Sequence, residues 1–177
     1  AEIDRPLNLE MAATDEMVAI ALRHRPHAAC IVPERREERT TEGGLDAAGQ
    51  RARLTPIIAS LADAGIRVSL FIEPEARQIE AAHALGAPVV ELHTGRYCQC
   101  YGAARQAELD RLATAAGLGM QLGLEVHAGH GLRTDNVGPV AALPQLAELN
   151  IGHYLIGEAI FLGLAASIAA MRAAMDS

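Results

Sequence analysis

His130 is the residue of this sequence best suited to chemistry, because it stands between two glycines directly after an apolar segment, 124–128. An imidazole titrates near neutral pH, so it can donate or accept a proton during catalysis. Glycine neighbours leave the ring uncrowded, and their N–H groups can approach a ligand closely. The pattern predicts a proton-transferring histidine, although a histidine that only caps a turn is the alternative.

Two glutamates, Glu10 and Glu91, lie inside otherwise apolar segments. Burial of an ionised carboxylate is unfavourable and raises the pKa of the carboxyl group towards the range useful in acid–base catalysis. A buried glutamate neutralised by a neighbouring Arg or His is the competing interpretation. Two such residues near strand ends favour a site, and His93, two residues after Glu91, is expected on the same face of its strand.

Two further segments contain groups that could bind phosphate. Thr40 and Thr41 precede a pair of glycines in the charged segment 33–46, and they supply hydroxyl and backbone donors. A solvated surface loop would have a similar composition. Gly152 and His153 are predicted at the start of a helix, where free N–H groups and the helix dipole favour an anion.

A metal site is not expected, although four histidines allow one to be considered. His127 and His130 have the spacing of metal ligands, with His93 and His153 as further candidates. The first two straddle a strand end and need not point in one direction. No acidic residue follows at a supporting spacing, so the prediction is that the protein uses no metal.

The elements that would position these side chains are predicted strands and helices in regular alternation. Six short apolar segments are each bounded by turn residues and followed by a helix-compatible segment; they are 7–12, 28–32, 68–72, 89–94, 124–128 and 149–152. Three of the helices end at a glycine, namely Gly65, Gly86 or Gly123, suited to a left-handed C-terminal position. Thr14 is the expected N-cap of the first helix, and 158–175 is predicted as one closing helix.

Strands alternating with helices indicate an α/β fold with a parallel sheet covered by helices. Six β/α units could form an open doubly wound sheet or most of a (β/α)8 barrel. We favour the TIM barrel, with about six of its eight units present. Residues 1–177 are then a single barrel domain that lacks the first two strands, and we expect the native protein to have an N-terminal segment that is left out here.

The composition limits the classes of function. The chain has 177 residues, half of them apolar, and a net charge of −7, with no basic stripe suited to nucleic acid. No apolar run approaches the 18 residues typical of a membrane span, and no signal peptide is visible. The three cysteines (Cys30, Cys98 and Cys100) form no disulfide framework, so the reducing cytoplasm is the expected compartment.

A set of motifs in this sequence resembles the pyridoxine 5′-phosphate synthase family of vitamin B6 biosynthesis. The motifs follow the order and spacing of that family across nearly the whole chain, and together they are specific. They are Asn8-Leu-Glu-Met-Ala12, Val32-Pro-Glu-Arg35, Thr40-Thr-Glu-Gly-Gly-Leu-Asp46, Glu91-Leu-His-Thr-Gly95, Ala128-Gly-His-Gly-Leu132 and Leu149-Asn-Ile-Gly-His153.

The resemblance implies a (β/α)8 barrel that assembles as a homo-octamer and uses no metal or organic cofactor. It implies the condensation of 1-deoxy-D-xylulose 5-phosphate with 3-amino-2-oxopropyl phosphate to pyridoxine 5′-phosphate, phosphate and water. By position, Glu10 matches the family's proton acceptor, His130 its proton donor and Glu91 its transition-state stabiliser. The matching substrate contacts are Thr40 for the deoxyxylulose phosphate, and Gly131, Gly152 and His153 for the aminooxopropyl phosphate.

The sequence also departs from the family pattern. The family's first two strands carry a further catalytic histidine and phosphate-binding arginines that have no counterpart here, and His127 stands where Asn is usual. Two alternatives stay open: a metal-dependent barrel hydrolase or isomerase using His93, His127 and His130, and a catalytically degenerate barrel that binds phosphate ligands without turnover.

Overall fold

Six parallel strands form one sheet in the computed structural model, which describes residues 4–38, 40 and 43–176. The strands are β1 (Asn8–Ala12), β2 (Ala28–Val32), β3 (Arg67–Ile72), β4 (Val89–His93), β5 (Glu125–Gly129) and β6 (Leu146–Asn150). Each strand pairs with the next along the chain, and β1 and β6 form the two edges. A doubly wound sheet reverses its strand order at a switch point. The sequential order here is instead that of a barrel wall.

Helices connect the strands, which confirms the α/β prediction. They are α1 (Asp15–His24), α2 (Arg51–Asp63), α3 (Ala76–Ala84), α4 (Gly95–Gln99), α5 (Gly102–Gln121), α6 (Val137–Ala141), α7 (His153–Leu162) and α8 (Leu164–Met175), with a short 3₁₀ turn at Arg36–Glu38. No helix among the described residues is long and apolar enough to span a membrane.

Local signals explain where several helices begin and end. The Thr14 hydroxyl accepts the Met17 N–H at 3.3 Å, and Asp15 and Glu16 follow in the first turn, where carboxylates interact favourably with the helix dipole. The glycines at the ends of α2, α3 and α5 have φ values of 78°, 79° and 78°, as expected for left-handed helix termini.

The main core lies between the sheet and the helices. Alternate strand residues such as Ile31, Leu70 and Leu92 face the helices and are fully buried there. Burial of each such side chain contributes roughly 1.5–3 kcal/mol. Because side chains alternate along a strand, the residues between them point to the other face of the sheet. Glu10 and Glu91 are on that inner face.

Two predicted boundaries were wrong. The sixth strand was expected at 149–152 but is Leu146–Asn150; its charged residue Glu148 interrupts the apolar pattern that marked the other strands. The closing helix predicted at 158–175 is two helices, because Gly163 adopts φ +81° and ends α7 before α8 begins. Because α7 begins at His153, only Ile151 and Gly152 separate it from β6.

Candidate active site

A cavity of about 970 Å³ opens at the carboxyl ends of the strands. It is lined by Glu10 from the first strand and by Asn150 from the last strand, so the sheet curls around it. The cavity brings together six of the seven site residues predicted from the sequence: Glu10, Glu91, His130, Gly131, Gly152 and His153.

Glu91 is the most buried of the predicted acid–base residues, with 8% of its surface exposed. One carboxylate oxygen accepts hydrogen bonds from the Asn150 amide at 3.0 Å and from the Cys30 thiol at 3.5 Å. Burial raises the pKa of Glu91 to about 7, with the charges of Glu10 and Glu148 acting in the same direction. Glu91 can therefore exchange a proton near neutral pH.

His130 is exposed and has a φ of +82°, which is uncommon for a residue with a Cβ atom. The Thr94 hydroxyl donates to the carbonyl oxygens of both Gly129 and His130, at 2.8 and 2.6 Å, and so holds this backbone conformation. The ring lies edge-on to His93 with centroids 4.8 Å apart. Such strained conformations persist where the surrounding structure fixes them, and they cluster at functional sites.

Partial desolvation and the neighbouring His93 lower the pKa of His130, and they outweigh the opposing charge of Glu10. Glu10 itself is exposed to the cavity from the inner face of β1. Its charge acts on both Glu91 and His130. The three side chains therefore form an electrostatically coupled set around one hollow.

The predicted phosphate-binding residues lie at two places. Gly152 is the N-cap of α7 and His153 its first residue, and both line the cavity. Thr40 does not line the cavity. Its hydroxyl accepts the Gly43 N–H at 3.3 Å, its N–H donates to the Gly44 carbonyl at 2.8 Å, and Gly43 is part of the lining. Thr41 lies outside the described residues.

The loop that carries Thr40 is anchored through a buried glutamate, Glu38. Its carboxylate accepts the Glu34 N–H at 3.0 Å and pairs with Arg53 of α2 at 2.8 Å. Arg53 also donates to the Ala13 carbonyl at 2.8 Å. Burial acts to raise the pKa of Glu38, but these hydrogen bonds outweigh it and hold the pKa below its usual value. The loop is therefore fixed to the end of β1 and to α2.

Sequence reasoning missed three residues of this region. Cys30 and Asn150 contact Glu91, while Glu73 is fully buried and lies 2.7 Å from His93 through Oε1 and Nδ1. A usable signal existed for Glu73, because it follows β3 directly as a polar residue at a strand end. Which residues Cys30 and Asn150 contact depends on the register of the strands, and the sequence does not specify this register.

The three histidines of the metal-dependent alternative do not converge. His127 lies deeper on the inner face, where Nε2 pairs with Glu125 at 2.7 Å and Nδ1 lies 3.5 Å from Glu148. His93 pairs instead with Glu73. Within residues 4–38, 40 and 43–176, no group of three His, Cys, Asp or Glu side chains is arranged to hold a metal ion. This alternative gains no support from the geometry.

Comparison with known proteins gives a consistent result. The family model described as pyridoxal phosphate biosynthesis protein PdxJ matches residues 1–177. A pyridoxine 5′-phosphate synthase of Rhodospirillum rubrum is 70% identical over 177 residues, covering 99% of this chain and 71% of that relative. The enzyme of the same name from Jannaschia sp. is 67% identical, covering 97% and 71%, and that of Zymomonas mobilis is 65% identical, covering 99% and 68%.

Solved structures with low sequence identity share the fold. A xylose isomerase domain protein from Planctomyces limnophilus aligns with a TM-score of 0.61 at 15% identity, covering 97% of this chain and 71% of that one. An HpcH/HpaI aldolase/citrate lyase family protein from Burkholderia cenocepacia gives a TM-score of 0.60 at 16% identity, covering 98% and 77%. At this identity the likeness concerns the fold alone, and it agrees with a barrel-like arrangement.

Proposed function

This chain belongs to the PdxJ family of pyridoxal phosphate biosynthesis proteins, and we propose that it catalyses the formation of pyridoxine 5′-phosphate. The observation that carries the proposal is the grouping of Glu10, Glu91 and His130 around one cavity at the carboxyl ends of the strands. The substrates are 1-deoxy-D-xylulose 5-phosphate and 3-amino-2-oxopropyl phosphate, and the other products are phosphate and water.

The reaction consists of amine-to-ketone condensation, dehydration, loss of phosphate and ring closure. Each step adds or removes a proton at carbon, nitrogen or oxygen, so several acid–base groups around one cavity suit it. Glu10 acts as the proton acceptor and His130 as the proton donor. A lowered pKa makes the His130 imidazolium a stronger acid, and Glu10 reaches the cavity from a different strand.

Glu91 stabilises the positive charge that develops on the imine nitrogen. Its carboxylate is held by Asn150 and Cys30 in a fixed orientation, and a preorganised charge in a buried site stabilises a transition state strongly. With a pKa of about 7, both protonation states of Glu91 are populated at neutral pH. The same residue can therefore relay a proton when the charge on the nitrogen is lost.

The two phosphate groups are bound at two separate places, one in the cavity and one beside it. Gly131, Gly152 and His153 contact the aminooxopropyl phosphate, since α7 begins at the lining and the first N–H groups of a helix have no partner within the helix. Thr40 contacts the deoxyxylulose phosphate, and its turn reaches the lining through Gly43. Neither phosphate requires a metal ion or an organic cofactor in this proposal.

Assembly as a homo-octamer in the cytoplasm is part of the same proposal. Support for self-association comes from apolar side chains exposed on α7 and α8, a pattern typical of an interaction surface; they are Ile156, Ile160, Phe161, Leu162, Leu164 and Ile168. Support for the compartment comes from Cys30, Cys98 and Cys100, which are free thiols. Sedimentation at several concentrations measures the subunit number.

The test of the proposed activity is incubation of the purified chain with both phosphorylated substrates. Formation of pyridoxine 5′-phosphate, detected by chromatography, together with equimolar phosphate release is expected. Neither product should form when one substrate is omitted. Binding of both substrates without product would instead support the catalytically degenerate barrel.

A further inference from the structure

Glu73 is a buried carboxylate to which the reaction assigns no role. It follows β3, is fully buried, and accepts two hydrogen bonds at Oε1: from the Gly44 N–H at 2.9 Å and from His93 Nδ1 at 2.7 Å. Arg111 of α5 lies 3.6 Å from the other oxygen. A buried ionised carboxylate is retained only with such partners, because its desolvation is otherwise strongly unfavourable.

His93 connects this carboxylate to the proposed proton donor. When Glu73 is ionised, His93 donates to it through Nδ1–H, and Nε2 lies on the side of Gly95. The His93 ring packs edge-on against Phe71 and His130, with centroid distances of 5.1 and 4.8 Å. The hydrogen bond to Glu73 therefore orients the His93 ring. The oriented ring in turn packs against the side chain of His130.

The same pair holds the turn that carries Thr40. A Cβ atom on Gly43 would lie 3.2 Å from His93 Cε1, so the turn rests directly on the imidazole. A Cβ atom on Gly44 would lie 2.6 Å from the Glu73 nitrogen, closer than real contacts allow. Thr40 is bonded to both glycines. One buried, hydrogen-bonded Glu–His pair thus contacts both the glycines that are bonded to Thr40 and the ring of the proposed proton donor, His130.

We propose that Glu73 and His93 form a positioning pair that holds Gly43, Gly44 and, through them, Thr40 in a fixed position relative to the His130 ring. This inference rests on the proposed function in assigning His130 as proton donor. Neither residue needs to touch substrate. The pair acts through His130 and through the turn, so its loss changes the protonation of His130 as well as the rate.

The charges around His130 predict the direction in which each substitution should shift the pKa of this residue. Glu73 acts to raise the pKa of His130 and His93 acts to lower it, while Glu10 from β1 raises it and His153 from α7 lowers it. His93 itself faces Glu73 and His130, with Glu91 two residues earlier on the same strand. Glu73→Gln should therefore lower the pKa of His130, whereas His93→Asn should raise it.

The experiment is a titration of isotope-labelled histidine side chains by NMR, with the His130 signal assigned by its absence in His130→Asn. Asn at position 93 keeps an N–H donor near the place of Nδ1, and Gln at position 73 keeps an acceptor oxygen. We expect the His130 midpoint to move to lower pH in Glu73→Gln and to higher pH in His93→Asn, because the first substitution removes a charge that raises the pKa and the second removes one that lowers it. The alkaline limb of kcat/KM should move with it, because this limb reports the proton donor of the free enzyme.

Matched controls are Glu75→Gln and His83→Asn. Glu75 is also 3.6 Å from Arg111 but is exposed, and His83 is an exposed residue of α3. Both controls should leave the His130 midpoint unchanged. Unchanged midpoints in folded Glu73→Gln and His93→Asn, with product still formed by the unsubstituted chain, would overturn the positioning pair. Opposed shifts in a chain that makes no product would keep the pair and reject the proposed function.

Discussion

Glu91 shows how a single residue connects stability with chemistry. Its carboxyl group is almost completely buried, and its pKa of about 7 lies well above the ordinary 4.5. The folded state therefore binds more protons than the unfolded state between these two values. Stability falls as the pH rises from about 4.5 to about 7, and this loss is the cost of keeping an ionisable group at the site.

Glu91→Gln should be more stable than the unsubstituted chain at pH 8. Since the pKa differs by about 2.5 between folded and unfolded states, the gain is about 3 kcal/mol. The gain should shrink as the pH falls towards 5. Urea unfolding at pH 5 and pH 8 measures it. An equal difference in the free energy of unfolding at both pH values would show that the Glu91 pKa is not raised.

Substitution of the two proton-transfer residues should lower turnover without destabilising the fold. Glu10→Gln and His130→Asn are each expected to lower turnover by about 10²–10⁴-fold, the usual contribution of a general acid or base. Asn tolerates the positive φ of position 130, so the backbone there should be retained. Steady-state kinetics with thermal unfolding checks both effects.

The exposed residues Glu80 and His83 of α3 provide the controls. Glu80→Gln and His83→Asn carry the same chemical changes away from the cavity and should leave turnover unchanged. Full activity in Glu10→Gln or His130→Asn would remove that residue from the mechanism.

At this scale the sequence predicts titratable residues better than it predicts their partners. Glu10, Glu91 and His130 could be identified because a polar side chain in or directly after an apolar strand is unusual. The hydrogen bond from Asn150 to Glu91 joins residues 59 positions apart, and no local pattern indicates it. The pairing of Glu73 with His93 likewise depends on how β3 and β4 are aligned.

At the scale of elements, the turn before α2 packs unusually closely against the end of β3. Gly44 has no room for a side chain, because a Cβ atom would lie 2.6 Å from the Glu73 nitrogen and 2.8 Å from the Ile72 carbonyl carbon. These are backbone atoms of a paired strand and cannot easily move. The turn and the strand therefore have a fixed separation that only glycine permits.

Gly44→Ala should displace this turn and destabilise the chain by about 1–3 kcal/mol, the usual range for overpacking. It should also raise the KM for the deoxyxylulose phosphate. The matched control is Gly117→Ala in α5, where the added Cβ meets nothing within 4 Å and alanine favours the helix by about 1 kcal/mol. The free energy of unfolding of both variants is measured by chemical denaturation. A Gly44→Ala variant as stable as the unsubstituted chain would show that the turn and the end of β3 are not packed this closely.

Elements with strong local signals were predicted well. Glycine termini mark the ends of α2, α3 and α5 because only the left-handed conformation leads directly into the next strand. The sixth strand was displaced in the prediction, since its inner face carries a charge at Glu148 and hydrophobicity alone did not reveal its start. The helix break at Gly163 was missed because an alanine-rich segment has helical propensity on both sides of it.

At the scale of the whole molecule, the cavity depends on the curvature of the sheet. Its lining includes Glu10 and Asn150 from the strands at opposite edges, β1 and β6, which are far apart in the chain. Sequential parallel pairing brings them together only when the sheet curls as in a barrel wall. Order and curvature, rather than any single motif, therefore place Glu10 across from His130.

Metal removal should have no effect on turnover. Dialysis against a chelator, followed by the activity assay and elemental analysis, is expected to give unchanged kcat and no stoichiometric metal, since the acid–base groups need no Lewis acid in the proposed reaction. Activity lost on chelation and restored by one divalent ion would favour the metal-dependent alternative.

The most direct test of a shared site is a crystal structure of the chain with 3-amino-2-oxopropyl phosphate bound. We expect the phosphate at Gly152 and His153 and the amine within reach of Glu10 or Glu91. A second cavity of about 570 Å³ lies elsewhere, lined by Arg35 and Arg53. A ligand bound in that cavity, with the space between Glu10 and His130 left empty, would contradict the proposed active site.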